Sequence, residues 1–288
     1  MEAKLLQRAQ CSKLIKHLFV NHTLNKYFCL TALGKKLKHF YIMEKSSYYQ
    51  YTVEPFTEDY CGNLAWGKIG NLLLRCSSMH AGQHGFGYSQ MIEQHRVWVL
   101  SRLVLELDDM PKSDETFQIH TWISRIYRHF TDRHFTLQRT DGSVYGHATS
   151  IWALIDTETR MPADLAKLAE GGFTEALQPD KPSPIAAMGR IALRQPKLLL
   201  SHRAAYCDLD INGHVNSIRY MELLIDQFEP EALKQRPIRR IEMAYCLEAY
   251  WGDTLEIYGD EDPKDPSKHC FEIRKNGGDI VVKGSISF

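Results

Sequence analysis

The stretch Asp208-Leu-Asp-Ile-Asn-Gly-His-Val-Asn216 gathers two carboxylates, two carboxamides and one imidazole within nine residues. It leads into Val215, Ile218, Met221, Ile225 and Phe228, whose three- and four-residue spacing predicts one buried helical stripe. The polar cluster therefore falls at a predicted helix N-terminus. Unpaired backbone N–H groups and the positive end of the helix dipole can there hold an anion or a polarised carbonyl oxygen, beside side chains able to move protons. Acyl chemistry suits such a site. Asp208, Asp210 or Asn212 taken singly reads more simply as a cap. Five hydrogen-bonding side chains, one of them a His that titrates near neutrality, exceed what one cap needs.

The elements around this cluster repeat. Residues 48–53 read as a strand, and Trp66, Ile69, Leu73 and Cys76 predict a core helix over 63–76. A Gly-rich turn (Gly82 to Gly87) and a short helical piece near 89–94 follow. Strand-like runs then occupy 95–107, 116–126, 131–139 and 143–155, with turn signals at Asp109-Met-Pro-Lys and Asp141-Gly142. After a Pro-rich linker (172–196) the order returns: a strand over 198–207, a helix over 212–228, and strands near 239–247, 254–259, 268–275 and 279–287. Letters match as well. Arg139-Thr-Asp-Gly142 finds Arg274-Lys-Asn-Gly277, Ser150-Ile151 finds Ser285-Ile286, and 113–119 resembles 252–257. The expected class is α+β, a helix wrapped by an antiparallel sheet twice over: a tandem (double) hotdog. The expected organisation is a basic extension (1–43), an N-terminal hotdog (44–171), a linker (172–196) and a C-terminal hotdog (197–288). The first copy opens its helix with Gly62-Asn-Leu-Ala-Trp66, without the His and carboxylates of the second, so the first half is expected to shape a pocket and the second to react.

With 288 residues and 44% hydrophobic content the chain can bury a sizeable core. Its zero net charge hides an asymmetry, because residues 1–42 carry eight Lys/Arg against one Glu and the remainder is acidic by seven. An acidic body argues against nucleic acid as a partner. The basic stretch is positive and poor in acid, as organelle-targeting presequences are, but holds one Ser. The preferred reading takes Met43 as the start and the upstream residues as a mis-chosen start or a dispensable arm. Seven scattered Cys without CxxC pairing point to reduced thiols in a cytoplasmic compartment. His80 and His84 have ligand-like spacing, but their Gly-rich surroundings place them in a loop, so no metal and no cofactor is expected. No apolar run approaches the ~20 residues of a membrane span.

The ordered set Gly85-Phe-Gly87, Trp98-Val99 with Arg102, Thr121-Trp122, Ser150-Ile-Trp152 with Thr159-Arg160, and Asp210-x-Asn-x-His214-Val-Asn216 resembles the acyl-acyl carrier protein thioesterases of plant plastids and bacteria, over most of residues 48–288. The resemblance implies a hydrolase of fatty acid biosynthesis that releases free fatty acid from acyl carrier protein, with Asp210, Asn212 and His214 catalytic and a Glu from a later strand, best matched by Glu248. The plant members place Cys directly after that Glu, where this chain has Ala249. Alternatives are a thioesterase for coenzyme A esters or a non-catalytic acyl-binding protein.

In the chemical reading, His214 and Glu248 deprotonate water, Asn212 orients it or the carbonyl, and N–H groups near Gly213–His214 hold the oxyanion. Asp210 either orients His214 or attacks directly. Phe86, Trp98, Trp122 and Trp152 are expected to line the acyl pocket. Two Arg groups offer docking faces for an acidic carrier protein: Arg125, Arg128, Arg133 and Arg139 on a predicted hairpin, and Arg236, Arg239 and Arg240, the preferred group. The chain is expected to be a monomer or homodimer.

Overall fold

The structure, a computed structural model, describes residues 44–165, 172–262 and 265–288. Both readings of the basic stretch lie outside the described residues.

Ten strands form one antiparallel sheet: β1 (Ser46–Thr52), β2 (Arg96–Leu107), β3 (Thr116–Ile126), β4 (Phe130–Arg139), β5 (Val144–Asp156), β6 (Lys197–Arg203), β7 (Arg240–Tyr245), β8 (Thr254–Asp262), β9 (Asp265–Lys275) and β10 (Asp279–Ser287). Their spatial order, β1-β3-β4-β5-β2-β7-β10-β9-β8-β6, is a palindrome. Each half keeps its first strand at an outer edge, and β2 and β7 join the halves through pairs such as Leu103↔Met243. The expected double hotdog is therefore built on one continuous sheet. Letter matching between the halves slips by one residue in β4 and β9. Leu137 pairs with Ile119 and Ile273 with Ile257, which aligns Arg139 with Lys275 rather than Arg274.

Two helices lie against this sheet, α1 (Trp66–Gln83) and α3 (Ser217–Ile225), with short α2 (Tyr88–Ile92) and α4 (Pro230–Gln235) beside them. Ile69, Leu73 and Cys76 of α1, Met221 and Leu224 of α3, and Leu103, Ile241 and Met243 of the central strands share one core. The helices meet where α1 carries Gly70, since a Cβ there would lie 2.7 Å from Ile218 Cδ1. Glycine permits that approach at a helix cost of about 1 kcal/mol.

Helix α1 runs past the expected end to Gln83 and ends at Gly85, whose φ is +80°. His80 is thus a fully buried helical residue and His84 the C-cap, with rings 4.5 Å apart, not a pair of loop histidines. Burial of His80 and Ala81 on the helix offsets the helix penalty of Gly82, a tertiary gain that local propensity does not register. In the second half, β6 ends at Arg203 and a 3-10 turn, Tyr206–Asp208, takes up the rest of the expected strand.

Candidate active site

Helix α3 begins at Ser217, not at residue 212, and its N-cap is Asn216, whose Oδ1 accepts from Ile218 N at 2.8 Å. Residues 210–214 form a tight turn ahead of it. Asp210 Oδ1 accepts from Asn212 N (2.8 Å) and His214 N (3.2 Å), and Asp210 N donates to His214 O. Gly213 supplies the left-handed position, φ +79°. The N–H groups of Gly213 and His214 are bonded to Asp210 O and Oδ1, so they do not form the expected oxyanion site.

The first half repeats this turn atom for atom. Asp59 Oδ1 accepts from Cys61 N (2.8 Å) and Asn63 N (3.2 Å), Asp59 N donates to Asn63 O, and Gly62 has φ +77°. Leu64 N donates to Pro111 O as Val215 N does to Ala249 O, and Glu115 braces Lys112 N as Asp253 braces Tyr250 N. A carboxylate is therefore present in both halves. Asp59 is the counterpart of Asp210, a match visible as Asp-x-x-Gly in each. The halves differ where Cys61, Asn63 and Met110 of the first stand against Asn212, His214 and Glu248 of the second. At these counterpart positions the imidazole and the additional carboxylate, His214 and Glu248, occur in the second half.

There the bonds to Ala249 draw the turn against residues 248–250, and His214 Nε2 comes within 3.7 Å of Glu248 Oε2. Glu248 Oε2 also accepts from the Tyr250 hydroxyl (2.9 Å) and Arg160 NH2 (2.9 Å). Burial alone would raise the Glu248 carboxyl. The Tyr250 hydroxyl, His214 and Arg160 outweigh it and hold the group below its ordinary value, ionised at neutral pH. The Tyr250 ring meets the His214 ring edge-on at 5.1 Å. The Asn212 carboxamide makes no hydrogen bond with the described residues. Asp208, by contrast, is buried and turned into the fold, accepting from His202 Nε2 (2.8 Å), Ala205 N (2.8 Å) and Arg219 Nε (2.9 Å).

A cavity of about 170 Å³ lies in the first half, walled by Phe86, Trp98 and Trp152 together with Phe173, Ile123 and Arg133. Trp122 does not line it. Successive strand residues face opposite sides, so with Ile123 in the wall Trp122 points to the other face of β3. There its Nε1 donates to Lys181 O (2.9 Å), under the Lys181 ammonium 4.1 Å from the ring centroid. Strand β5 carries Trp152 into the cavity wall, and Arg160, just beyond the strand, reaches Glu248. The cavity and the His214–Glu248 cluster are thus tied by one segment. Arg160 was not singled out as a site residue; its signal was its place in the resemblance.

The expected docking arginines lie elsewhere. Arg240 pairs with Glu106 and Glu242 and donates to Ala186 O, Arg239 donates to Asp108 O, and Arg236 sits 5.1 Å over the Phe288 ring. Arg239 and Arg240 stand at the opposite end of β7 from Glu248, and the charge of Arg240 is neutralised within the fold.

Two sequence profiles match the chain, the acyl-ACP thioesterase N-terminal domain over residues 44–169 and the C-terminal domain over 195–288. The chain belongs to the acyl-ACP thioesterase family. Among solved members of this family, an acyl-ACP thioesterase from Bacteroides thetaiotaomicron is 41% identical with a TM-score of 0.79, covering 85% of this chain and 98% of that one. The 12:0-ACP thioesterase from Umbellularia californica has the same fold at 16% identity, TM-score 0.72, covering 86% of this chain and 98% of that one. The oleoyl-acyl carrier protein thioesterase 1, chloroplastic, of Arabidopsis thaliana is 27% identical over 206 residues. That match covers 65% of this acyl-ACP thioesterase family member and 56% of the Arabidopsis protein, so the chain spans little more than half the length of such curated relatives. Among the described residues no helix is long and apolar enough to cross a membrane.

Proposed function

We propose that the chain hydrolyses fatty acyl thioesters on acyl carrier protein, releasing free fatty acid and the carrier thiol in the cytoplasm. The observation that carries this reading is the His214–Glu248 pair, with Glu248 held ionised and with Asn63 and Met110 at the equivalent places in the other half. Water between the two loses its proton to this pair as its oxygen attacks the thioester carbonyl. The tetrahedral oxyanion takes its hydrogen bond from the unengaged Asn212 carboxamide, and collapse breaks the C–S bond as the proton passes to the leaving thiolate. Asp210 acts as a positioning residue. One of its oxygens already accepts two backbone N–H groups, which favours attack by water over attack by this carboxylate.

The division of labour follows the halves, with residues 44–171 holding the acyl chain and 197–288 the reaction. Exposed Arg203, 5.5 Å from the Trp251 ring, borders the Glu248 segment and is the proposed contact for the acidic carrier, in place of Arg236, Arg239 and Arg240. The test is thiol release from acyl carrier protein and coenzyme A esters of matched chain length. Faster turnover on the carrier supports the proposal; turnover on coenzyme A esters alone would replace it, and none on either would leave an acyl-binding protein.

A further inference from the structure

Arg133 stands on the inner face of β4, 4% exposed, in the wall of the first-half cavity. Of its five N–H donors, one bond is made among the described residues, from NH1 to Thr121 Oγ1 at 3.2 Å. Among the described residues no carboxylate pairs with it. Three half-buried arginines are answered by carboxylates: Arg240 by Glu106 and Glu242, Arg219 by Asp208 and Glu222, and Arg139 by Asp109 and Glu115. Thr131, two residues along the same face and also in the wall, is 4% exposed, and its Oγ1 has no hydrogen-bond partner.

The groups nearest the guanidinium do not supply a counter-charge. Burial, with Arg133 itself beside it, pushes His80 down to about 3, so it stays neutral, and burial pushes the Cys76 thiol up to about 11. A buried cation with no anionic partner and most of its donors unused is costly, and an alkyl chain would leave it so. An acyl tunnel needs apolar walls; this one carries a cation and an unanswered hydroxyl.

We propose that the cavity receives an acyl chain bearing an oxygen function, a hydroxyl or a carboxylate, which accepts hydrogen bonds from the Arg133 guanidinium beside the Thr131 hydroxyl. This rests on the thioesterase reading for its substrate class but is testable without turnover. The first arm measures binding of dodecanoic, 12-hydroxydodecanoic, 3-hydroxydodecanoic and dodecanedioic acids to the full chain and to its Arg133→Met, Arg133→Lys and Thr131→Val variants. The second measures kcat/KM on the corresponding carrier-bound thioesters.

At least one oxygenated acid should bind more tightly than dodecanoic acid. Arg133→Met should reduce that preference by about 10- to 100-fold, the range expected for a lost hydrogen bond to a charged group. Arg133→Lys should retain part of it, and Thr131→Val should lower it less. A preference confined to the diacid identifies a carboxylate, and one confined to a hydroxy acid fixes the position of the oxygen. Equal or weaker binding of every oxygenated acid, or a preference that Arg133→Met leaves unchanged, overturns the proposal and leaves water as the partner of Arg133. Absence of turnover with the binding preference intact would sink the hydrolytic reading and spare this one. If Arg133→Met does not fold, a lowered preference in Thr131→Val beside partial retention in Arg133→Lys supports the proposal, and a preference unchanged in both overturns it.

Discussion

Glu248→Gln separates the charge of this residue from its shape. A Gln carbonyl oxygen can still accept from the Tyr250 hydroxyl and from Arg160, so the segment 248–250 should keep its place against the 210–214 turn. Arg160 has a side chain 63% exposed. Removing its partner therefore strands no buried charge, and a pair of this exposure contributes at most about 1 kcal/mol to stability. The chemical loss is larger. A positioned general base contributes roughly 10²- to 10⁴-fold in rate, about 3 to 5.5 kcal/mol of barrier. On carrier-bound acyl substrates, kcat should fall by at least about 100-fold while KM stays within about threefold, the signature of an interaction made in the transition state. Thiol release followed at several substrate concentrations gives both constants, and a urea midpoint measured alongside reports folding. Met110→Gln is the matched control, since it alters the equivalent position in the other half. It should cost stability, because Met110 packs against the core, yet leave kcat nearly unchanged. A Glu248→Gln protein that keeps more than a tenth of wild-type kcat would show that the carboxylate is not the base.

Arg160→Met should lower kcat/KM by roughly three- to tenfold, the loss of one exposed charge-assisted contact, and the deficit should narrow in high salt where the wild-type pair is itself screened. Acid should destabilise the fold early. His80 is held at about 3, and His120 and His134 at about 4, each chiefly by burial, against an ordinary 6.5. The unfolded chain then binds more protons below pH 6.5, so stability is full above that value and falls toward pH 4, by up to about 4 kcal/mol per pH unit for three groups. A urea midpoint unchanged between pH 7 and pH 5 would contradict this. Asp208→Asn should cost about 2–3 kcal/mol at pH 7, the partial exposure of Arg219 softening the loss typical of a sealed pair. Burial opposes ionisation of Asp208, but Ala205 N–H, His202 and Arg219 hold its carboxyl below 3.8, so this stabilisation is present above that pH and lost as the pH falls through the lower folded value. Chemical denaturation of both proteins at pH 7 and pH 3 checks the sign.

Much of this fold was legible because its signals are periodic. The run 116–126 alternates as a strand should and is one, and Ile218, Met221 and Ile225 mark the buried or half-buried face of α3. The duplication showed the class, and the cluster around His214 pointed to the candidate site. What escaped depends on neighbours remote in sequence. The apolar spacing placed the helix over 212–228, but the turn at Asp210 closes on its own backbone and delays the helix to Ser217. Trp122 groups with the pocket aromatics by residue type alone, whereas strand alternation sets it on the face of β3 opposite Ile123. Arg160 gave no local sign of its role, because its partner Glu248 is 88 residues away. The partners of Arg240 were hidden for a related reason, since Glu106 and Glu242 neutralise it from the strand beside it and from its own.

The palindromic sheet has an evolutionary reading. When two identical chains associate about a two-fold axis, any substitution is written into both partners at once. Here the two members of the pair are encoded separately. On the proposed division of labour, a side chain that widens the first-half cavity need not disturb the turn at Asp210, and a change near His214 has no enforced copy near Asn63. Lineages built this way can retune which chains they accept while the bond-breaking apparatus stays under its own selection.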